Sequence, residues 1–146
     1  MKHLNKNIKQ TQKIAGEIAK KLKGGEVIAL SGELGAGKTV FVKSLAKSLG
    51  VKKNVNSPTF VLMKIYQTKN PKSNIKRLCH IDAYRIENFQ DLLNIGVLEF
   101  LGQKNTTCAI EWAEKIKKIL PKNRIEINLK TGKKENRRDV FINFLK

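Results

Sequence analysis

The sequence Gly32-Glu33-Leu34-Gly35-Ala36-Gly37-Lys38-Thr39 matches the phosphate-binding pattern Gly-x-x-x-x-Gly-Lys-Thr. Its glycines let the backbone turn sharply, so that several N–H groups can surround an anion. Lys38 supplies a positive charge for the β- and γ-phosphates, and the Thr39 hydroxyl is a typical magnesium ligand in such loops. The stretch therefore predicts a site for ATP and Mg²⁺, with Val40 as the last nucleotide-binding position.

The residues on either side of the loop have the expected character. Val27-Ile28-Ala29-Leu30 is an unbroken apolar run, which is typical of a strand buried on both faces. From Thr39 to Leu49 the apolar residues recur with helical spacing, and Gly50 follows. The positive end of that helix would point at bound phosphates. A strand, a glycine loop and a helix in this order distinguish a P-loop from a chance match.

The other apolar patterns predict further elements around this unit. A helix with Thr11 as its N-cap carries the stripe Ile14, Ile18 and Leu22 and ends at Gly24-Gly25. Strands are predicted over 60–66, 75–81, 107–111, from 124 onward and over 140–144, and helices over 89–101, with a break near Gly96, and around 116–120. This order predicts one P-loop domain over residues 1–146, an α/β fold with a mostly parallel sheet, flanking helices and added antiparallel strands.

The net charge of +18 has two explanations that the sequence leaves open. Lysines supply most of the 30 basic residues, against 12 acidic ones. Codon bias in an AT-rich genome favours Lys together with Asn and Ile, which are also abundant here. Alternatively, the surface meets RNA or an acidic protein.

A cytoplasmic location is expected from three features of the chain. No apolar run approaches the ~20 residues that span a bilayer, so no membrane contact is predicted. The first residues lack the apolar segment of a secretory signal peptide. Cys79 and Cys108 each lie in an apolar run, which favours two buried, reduced thiols over a disulfide.

Two carboxylates are candidates to complete the magnesium site. Asp82 follows the apolar run Leu78-Cys79-His80-Ile81, and Glu111 follows Cys108-Ala109-Ile110. P-loop proteins use a carboxylate at a strand end to hold magnesium, directly or through water. The spacing alone does not decide which of the two holds the metal.

The other polar residues near these motifs have ordinary structural interpretations as well. Ser57-Pro58-Thr59 is typical of a turn, although Thr59 could reach a γ-phosphate as a switch element. His80 is interpreted as a structural histidine, and Tyr84-Arg85 as packing plus a surface charge. Trp112 taken alone is more typical of a core residue than of a functional one.

Four short motifs together resemble one family, TsaE, also called YjeE, bacterial ATPases needed for threonylcarbamoyladenosine (t6A) synthesis on tRNA. They are the P-loop, Asn56-Ser57-Pro58-Thr59-Phe60, His80-Ile81-Asp82-Ala83-Tyr84-Arg85 and Ile110-Glu111-Trp112, with Gly96-Val97-Leu98-Glu99-Phe100 as a weaker match. The motifs follow the family's order. A P-loop by itself is common to many families, whereas the combination is specific. Glu33 stands where the family more often has Asp.

The resemblance implies roles that the spacing left open. Thr39 and Glu111 would be the magnesium ligands. Asp82 would be the acid needed for hydrolysis, acting beside Lys38, and Thr59 would lie in a switch-like loop.

Further positions gain an interpretation from the same resemblance. Trp112 would lie near the nucleotide, and Thr11 would contact its base end, although helix capping would also explain a threonine there. His80, Tyr84 and Arg85 would support the site or meet a partner.

The partners implied by the resemblance are TsaB and TsaD, with tRNA as the substrate of their complex. TsaD would transfer threonylcarbamoyl to adenosine 37 of tRNAs that read codons starting with A. This chain would hydrolyse ATP slowly when alone, and hydrolysis would reset or remodel the complex between turnovers. Whether tRNA touches this chain is left open.

Two other functions fit parts of the sequence. A P-loop alone fits a small-molecule kinase, but the five arginines form no obvious phosphate clamp. A basic RNA-binding module with structural ATP fits the charge, but only 6% of residues are aromatic, which leaves few platforms for stacking bases.

Overall fold

The computed structural model describes all residues, 1–146, as a sheet covered on both faces by helices. The strands are β1 Lys2–Lys6, β2 Val27–Ser31, β3 Met63–Gln67, β4 Arg77–Asp82, β5 Thr106–Glu111, β6 Arg124–Thr131 and β7 Arg138–Leu145. The α-helices are α1 Ile8–Lys21, α2 Lys38–Ser48 and α3 Gln90–Asn94, and two 3₁₀ segments cover Val97–Glu99 and Ala113–Ile119.

The seven strands form one sheet in the order β1-β7-β6-β2-β5-β4-β3. The central strands β6, β2, β5 and β4 run parallel to one another. The outer pairs β6–β7, β7–β1 and β4–β3 are antiparallel. This arrangement confirms the predicted α/β fold, with a parallel centre and antiparallel strands added at both edges.

Side chains alternate between two apolar layers along the central strands. Ile28 and Leu30 of β2 point to the layer formed with α1 and α2. Val27 and Ala29, from the same strand, point to the layer formed with α3 and the 3₁₀ segments. Strand β2 lies between β6 and β5 and is buried on both faces. The P-loop follows β2, so it begins in the middle of the sheet, where it is supported by packing on either side.

Two local predictions, the starts of the first helix and of the strand after the switch loop, are wrong, and one strand near the N-terminus was not predicted. Helix α1 begins four residues before the predicted start, because Asn7 caps it in a reciprocal capping box with Gln10. Thr11 lies inside the helix, where its hydroxyl donates to the Asn7 carbonyl at 3.0 Å. The strand predicted from Phe60 begins at Met63, and β1 has no predicted counterpart.

The segment predicted as a helix over 89–101 is divided as expected. It forms α3 and the 3₁₀ turn, and Gly96 between them adopts a left-handed conformation with φ of 84°. No helix of the structure has the length and apolar character that crossing a bilayer requires.

The two cysteines are buried neighbours on β4 and β5, and neither is in a disulfide. The hydrogen bond to Cys108 and burial both raise the pKa of the Cys79 thiol. The Cys79 thiol therefore stays protonated, and both cysteines are buried as small core residues, as predicted.

Candidate nucleotide-binding site

The phosphate loop connects the end of β2 to the start of α2, and glycines are required at two of its positions. Gly32 has φ of 148°, and a Cβ there would lie 2.4 Å from the Leu129 carbonyl oxygen of β6. Gly37 is the N-cap of α2 and has φ of 101°. A side chain at either position would distort the loop, so the glycine spacing follows from the backbone path.

Lys38 is buried beneath the loop. Its Nζ donates to the Gly32 carbonyl at 2.5 Å and to the Glu33 carbonyl at 3.0 Å. The ammonium group also lies 3.9 Å from the centre of the Trp112 ring, in cation–π contact. Burial lowers the pKa of Lys38, and nearby carboxylates, chiefly that of Glu111, oppose the shift. The site therefore holds a partly desolvated cation that an anionic ligand would stabilise.

Glu111, the last residue of β5, is buried beside the start of α2. Its Oε1 accepts a hydrogen bond of 2.8 Å from the Thr39 hydroxyl. Its Oε2 lies 2.5 Å from His80 Nε2, while His80 Nδ1 is buried without a partner. The carboxylate is thus oriented from both sides, and it forms with Thr39 a pair of hard oxygen ligands of the kind that Mg²⁺ prefers.

Asp82 ends β4 directly beside Glu111, because the two strands are parallel and in register. Its Oδ2 accepts hydrogen bonds of 2.8 Å from the hydroxyls of Ser57 and Thr59, and its Oδ1 accepts one of 2.9 Å from the Tyr84 N–H. The Ser57-Pro58-Thr59 turn is therefore attached to the carboxylate by both hydroxyls. The spacing favoured an ordinary turn, whereas the structure brings this turn to the site.

These groups surround one cavity of about 540 Å³, which we call the phosphate cavity. It is lined by Leu34, Gly35, Gly37, Lys38, Thr39, Val40, Ser57, Thr59, Phe60, Asp82, Tyr84, Arg85, Glu111 and Trp112. Residues from all four motifs that carried the family resemblance thus meet at the carboxyl ends of β2, β4 and β5.

Aromatic side chains form the rim of the phosphate cavity. Trp112 has φ of 58°, and its ring lies 5.0 Å from that of Tyr84. The Arg85 guanidinium lies over the Phe60 ring at 4.6 Å. Phe60 is 84% exposed, so this stacked pair lines the open edge of the cavity and leaves most of the Phe60 ring in solvent.

Five predicted residues do not line the phosphate cavity, and two of them, Gly32 and Glu33, line a neighbouring cavity instead. Thr11 is buried in α1, and it does not line this cavity or the larger one of about 920 Å³ on the other side of Gly32 and Glu33. His80 lies below Glu111, where it touches the carboxylate and not the cavity. Ala36 is buried at the back of the loop. The phosphates are better placed in the smaller cavity, because it contains Lys38 and both acids.

The protein alone offers few metal ligands. No group of three or more His, Cys, Asp and Glu side chains is arranged to hold a metal ion. Thr39 and Glu111 supply two oxygens, so a magnesium ion there needs further oxygens from the nucleotide and from water.

Arg138 is a neighbour of the site that the sequence analysis did not single out. Its Nε and Nη2 donate to the carbonyls of Ala36 and Gly35, each at 3.0 Å. An arginine after a turn carries no local sign of such a contact. Only the pairing of β6 with β7 brings it to the loop.

The exposed charges of the layer formed by α1 and α2 are almost all positive. In α1, α2 and their following turns, the exposed charges are Lys9, Lys13, Lys20, Lys21, Lys23, Lys43, Lys47, Lys52 and Lys53, with Glu17 as the one exposed acid. On the opposite layer, the segment from Arg85 to Lys118 has five exposed basic residues and four exposed acidic ones. We call the first surface the lysine face.

Comparison with known proteins gives a consistent set of relatives. The sequence profile described as "Threonylcarbamoyl adenosine biosynthesis protein TsaE" matches residues 5–140. Proteins called tRNA threonylcarbamoyladenosine biosynthesis protein TsaE are similar to this chain. The one from Aquifex aeolicus is 49% identical over 73% of this chain and 72% of its own length. The one from Bacillus subtilis is 36% identical over 92% and 80%.

A relative from Treponema pallidum with the same name is 33% identical over 94% of this chain and 96% of its own length. Among solved structures, YdiB of Bacillus subtilis superposes with a TM-score of 0.73 and 31% sequence identity, covering 99% of this chain and 85% of that one. The similarity in sequence and in fold therefore extends over nearly the whole chain.

Proposed function

The chain belongs to the TsaE family, and from this premise we propose that it is the ATPase required for t6A modification of adenosine 37 in tRNAs that read ANN codons. It would act in the cytoplasm with TsaB and TsaD. ATP hydrolysis would reset or remodel their complex between rounds of modification.

One observation carries the proposal that the chain binds ATP with magnesium. Thr39 Oγ1 and Glu111 Oε1 lie 2.8 Å apart, next to the buried Lys38 and at the N-terminal end of α2. A cation, two hard oxygens and a helix N-terminus fit a phosphate chain with its divalent ion. Magnesium bound there would neutralise charge on the β- and γ-phosphates.

The chain's own groups have separate proposed roles in hydrolysis. Lys38 would exchange its bonds to the loop carbonyls for bonds to phosphate oxygens. His80 would keep Glu111 turned toward Thr39. Asp82 lies one strand farther from the loop and would orient the attacking water. The Thr59 hydroxyl is hydrogen-bonded to this carboxylate, so Thr59 would respond to the presence of the γ-phosphate.

The isolated chain is expected to hydrolyse ATP slowly, because no arginine is committed to the phosphates. Arg85 stacks on an exposed ring at the rim, and Arg138 is occupied by loop carbonyls. An arginine finger contributes about 10³–10⁵ in rate in related reactions. A partner chain that orders the rim or supplies such a group would accelerate the reaction.

The rate of ATP turnover should therefore rise at least about tenfold when TsaB and TsaD are added. This increase is smaller than the one an arginine finger gives. The measurement is phosphate release by the chain alone and with either or both partners, at low and moderate salt. Fast hydrolysis by the chain alone, unchanged by the partners, would contradict partner gating. Phosphate transfer to a nucleoside or sugar in the same assay would favour the kinase alternative.

The lysine face is the feature that favours direct contact with tRNA. Codon bias alone would distribute lysines over every exposed surface, whereas the opposite layer is nearly neutral. The lysine face has one exposed aromatic neighbour, Phe144 beneath Lys21, and a surface so rich in lysine suits a phosphodiester backbone better than a protein interface. Binding to tRNA should then weaken steeply with salt, and equal affinity at 50 mM and 200 mM would contradict the contact.

Trp112 should report nucleotide binding through its fluorescence. Its ring lies against Lys38 Nζ, and phosphates that draw this ammonium group away would change the electrostatic surroundings of the only tryptophan. The measurement is an ADP titration with magnesium, followed at Trp112 and compared with calorimetry. A flat signal at calorimetric saturation would contradict this placement of the phosphates.

A further inference from the structure

Arg138, the first residue of β7, binds the outer side of the phosphate loop. Besides its two bonds to Gly35 and Ala36, its Nη1 donates to the carbonyls of Glu135 at 2.7 Å and Arg137 at 2.8 Å. All three guanidinium nitrogens are thus engaged with backbone carbonyls. The side chain joins the β6–β7 turn to a loop that precedes it by about a hundred residues.

Peptide geometry transmits this contact to the phosphate cavity. The chain has no cis peptide bond, so each N–H points away from the carbonyl of its own peptide unit. The carbonyl of Ala36 shares its unit with the N–H of Gly37. When Arg138 holds that carbonyl, the Gly37 N–H is directed to the other side of the loop. Gly37 lines the phosphate cavity, and its N–H donates no hydrogen bond within the chain.

The neighbouring peptide unit is fixed at both ends. Its carbonyl, from Gly35, accepts from Arg138, and its N–H, from Ala36, donates to the Glu33 carbonyl at 3.0 Å. The rest of the loop has little lateral support at the glycines. A Cβ at Gly35 or Gly37 would meet no atom within 4 Å. The Gly37 carbonyl still accepts from the Phe41 N–H at 2.9 Å, but without the guanidinium the Gly35 and Ala36 carbonyls lose their partner. The ligand would then have to order these two peptide units, at a cost in affinity.

We infer that Arg138 is a positioning residue for the phosphate site, which orders the loop so that the Gly37 N–H faces the phosphates before they bind. This inference rests on the proposed nucleotide binding. Arg138 does not line the phosphate cavity. It therefore acts through the loop rather than by touching the nucleotide.

The test compares Arg138→Ala with Arg137→Ala in the full chain. Arg137 is the adjacent arginine in the same turn, and its side chain makes one long contact, 3.5 Å, to the Asn5 carbonyl. Two measurements are made: amide hydrogen exchange of residues 33–38 without nucleotide, and ADP affinity by calorimetry. Arg138→Ala should speed exchange in 33–38 and weaken ADP binding about tenfold, as expected for lost charge-assisted bonds. Arg137→Ala should stay within about twofold of the parent protein.

Two further arms separate positioning from general support of the fold. Added ethylguanidinium should restore part of the ADP affinity of Arg138→Ala, and Arg138→Lys, which keeps the charge but loses the planar fork, should bind ADP with intermediate affinity. Unchanged exchange and affinity in Arg138→Ala would overturn the inference. Equal acceleration throughout β6 and β7 would overturn it too. Failure of the parent protein to bind ADP would contradict the proposed function, while loop exchange would still decide the role of Arg138.

Discussion

Replacing Lys38 by alanine is expected to weaken ADP and ATP binding by about 100-fold or more. The ammonium group is buried, and its only hydrogen-bond partners are the loop carbonyls of Gly32 and Glu33. Bound phosphates would give this cation stronger partners, each bond contributing about 1.5–3 kcal/mol. Two such bonds correspond to at least about two powers of ten in affinity.

The measurement is isothermal calorimetry with ADP, with and without magnesium, on Lys38→Ala and on the control Lys43→Ala. Lys43 lies on the same helix and is exposed, so its removal lowers the net charge equally without touching the site. The control should stay within about twofold. Thermal unfolding of both variants checks that the loop still folds. Unchanged ADP affinity in Lys38→Ala would contradict the phosphate site.

Replacing Asp82 by asparagine is expected to lower ATP turnover about 10²–10³-fold while ADP affinity changes little. Asparagine has nearly the same shape, and its carbonyl oxygen can still accept the hydrogen bonds from Ser57 and Thr59, although its NH₂ group cannot accept the one from the Tyr84 N–H. It loses the negative charge that would orient and activate the attacking water, and acid–base groups typically contribute about 10²–10⁴. Phosphate release and calorimetry on the same preparation measure the two quantities.

Glu111→Gln is the matched comparison, because Glu111 ends the neighbouring strand in register with Asp82. This variant should lose most of the gain in affinity that magnesium gives, and turnover should fall with it. The proposed ligand pair of Thr39 and Glu111 predicts this difference between the two acids. If Asp82→Asn lost the magnesium dependence and Glu111→Gln kept it, the two roles would be exchanged.

The central part of the fold could be predicted because its determinants are local. A β2 buried on both faces needs an unbroken apolar run, and the loop after it needs glycine where φ is positive. Helix α2 follows from apolar residues at helical spacing that face the sheet, among them Phe41, Val42 and Leu45. Each of these requirements is visible in the sequence within a few residues.

The parts that were wrong or missed depend on contacts between distant segments. Strand β1 contains Lys2, His3 and Lys6 and has no apolar alternation, so it forms only because β7 offers it an edge. Phe60 is apolar but 84% exposed, and the chain becomes a strand only at Met63, where β4 pairs with it. The β-propensity of residues 60–62 favoured a strand that starts at Phe60, but in the structure Phe60 lines the phosphate cavity and the strand starts later.

The candidate site shows the same division. The two acids could be identified as strand ends, but their order in the sheet was needed to place Glu111 beside Thr39 and Asp82 beside Ser57. The spacing treated these acids as equivalent. Arg138 gave no local sign, because its role depends on a turn folding back onto the loop.

The most direct test of the proposed function is t6A formation in a reconstituted system of TsaB, TsaD, threonylcarbamoyl donor and unmodified tRNA. We expect about one modified tRNA per TsaD without this chain, because the complex is not reset. Modification should continue over further rounds when the chain and ATP with magnesium are added. When the Asp82→Asn variant replaces the parent chain, the yield should fall back to about one modified tRNA per TsaD. Multiple rounds without this chain, or with the Asp82→Asn variant at the full rate, would contradict the claim that its ATP hydrolysis resets the modifying complex.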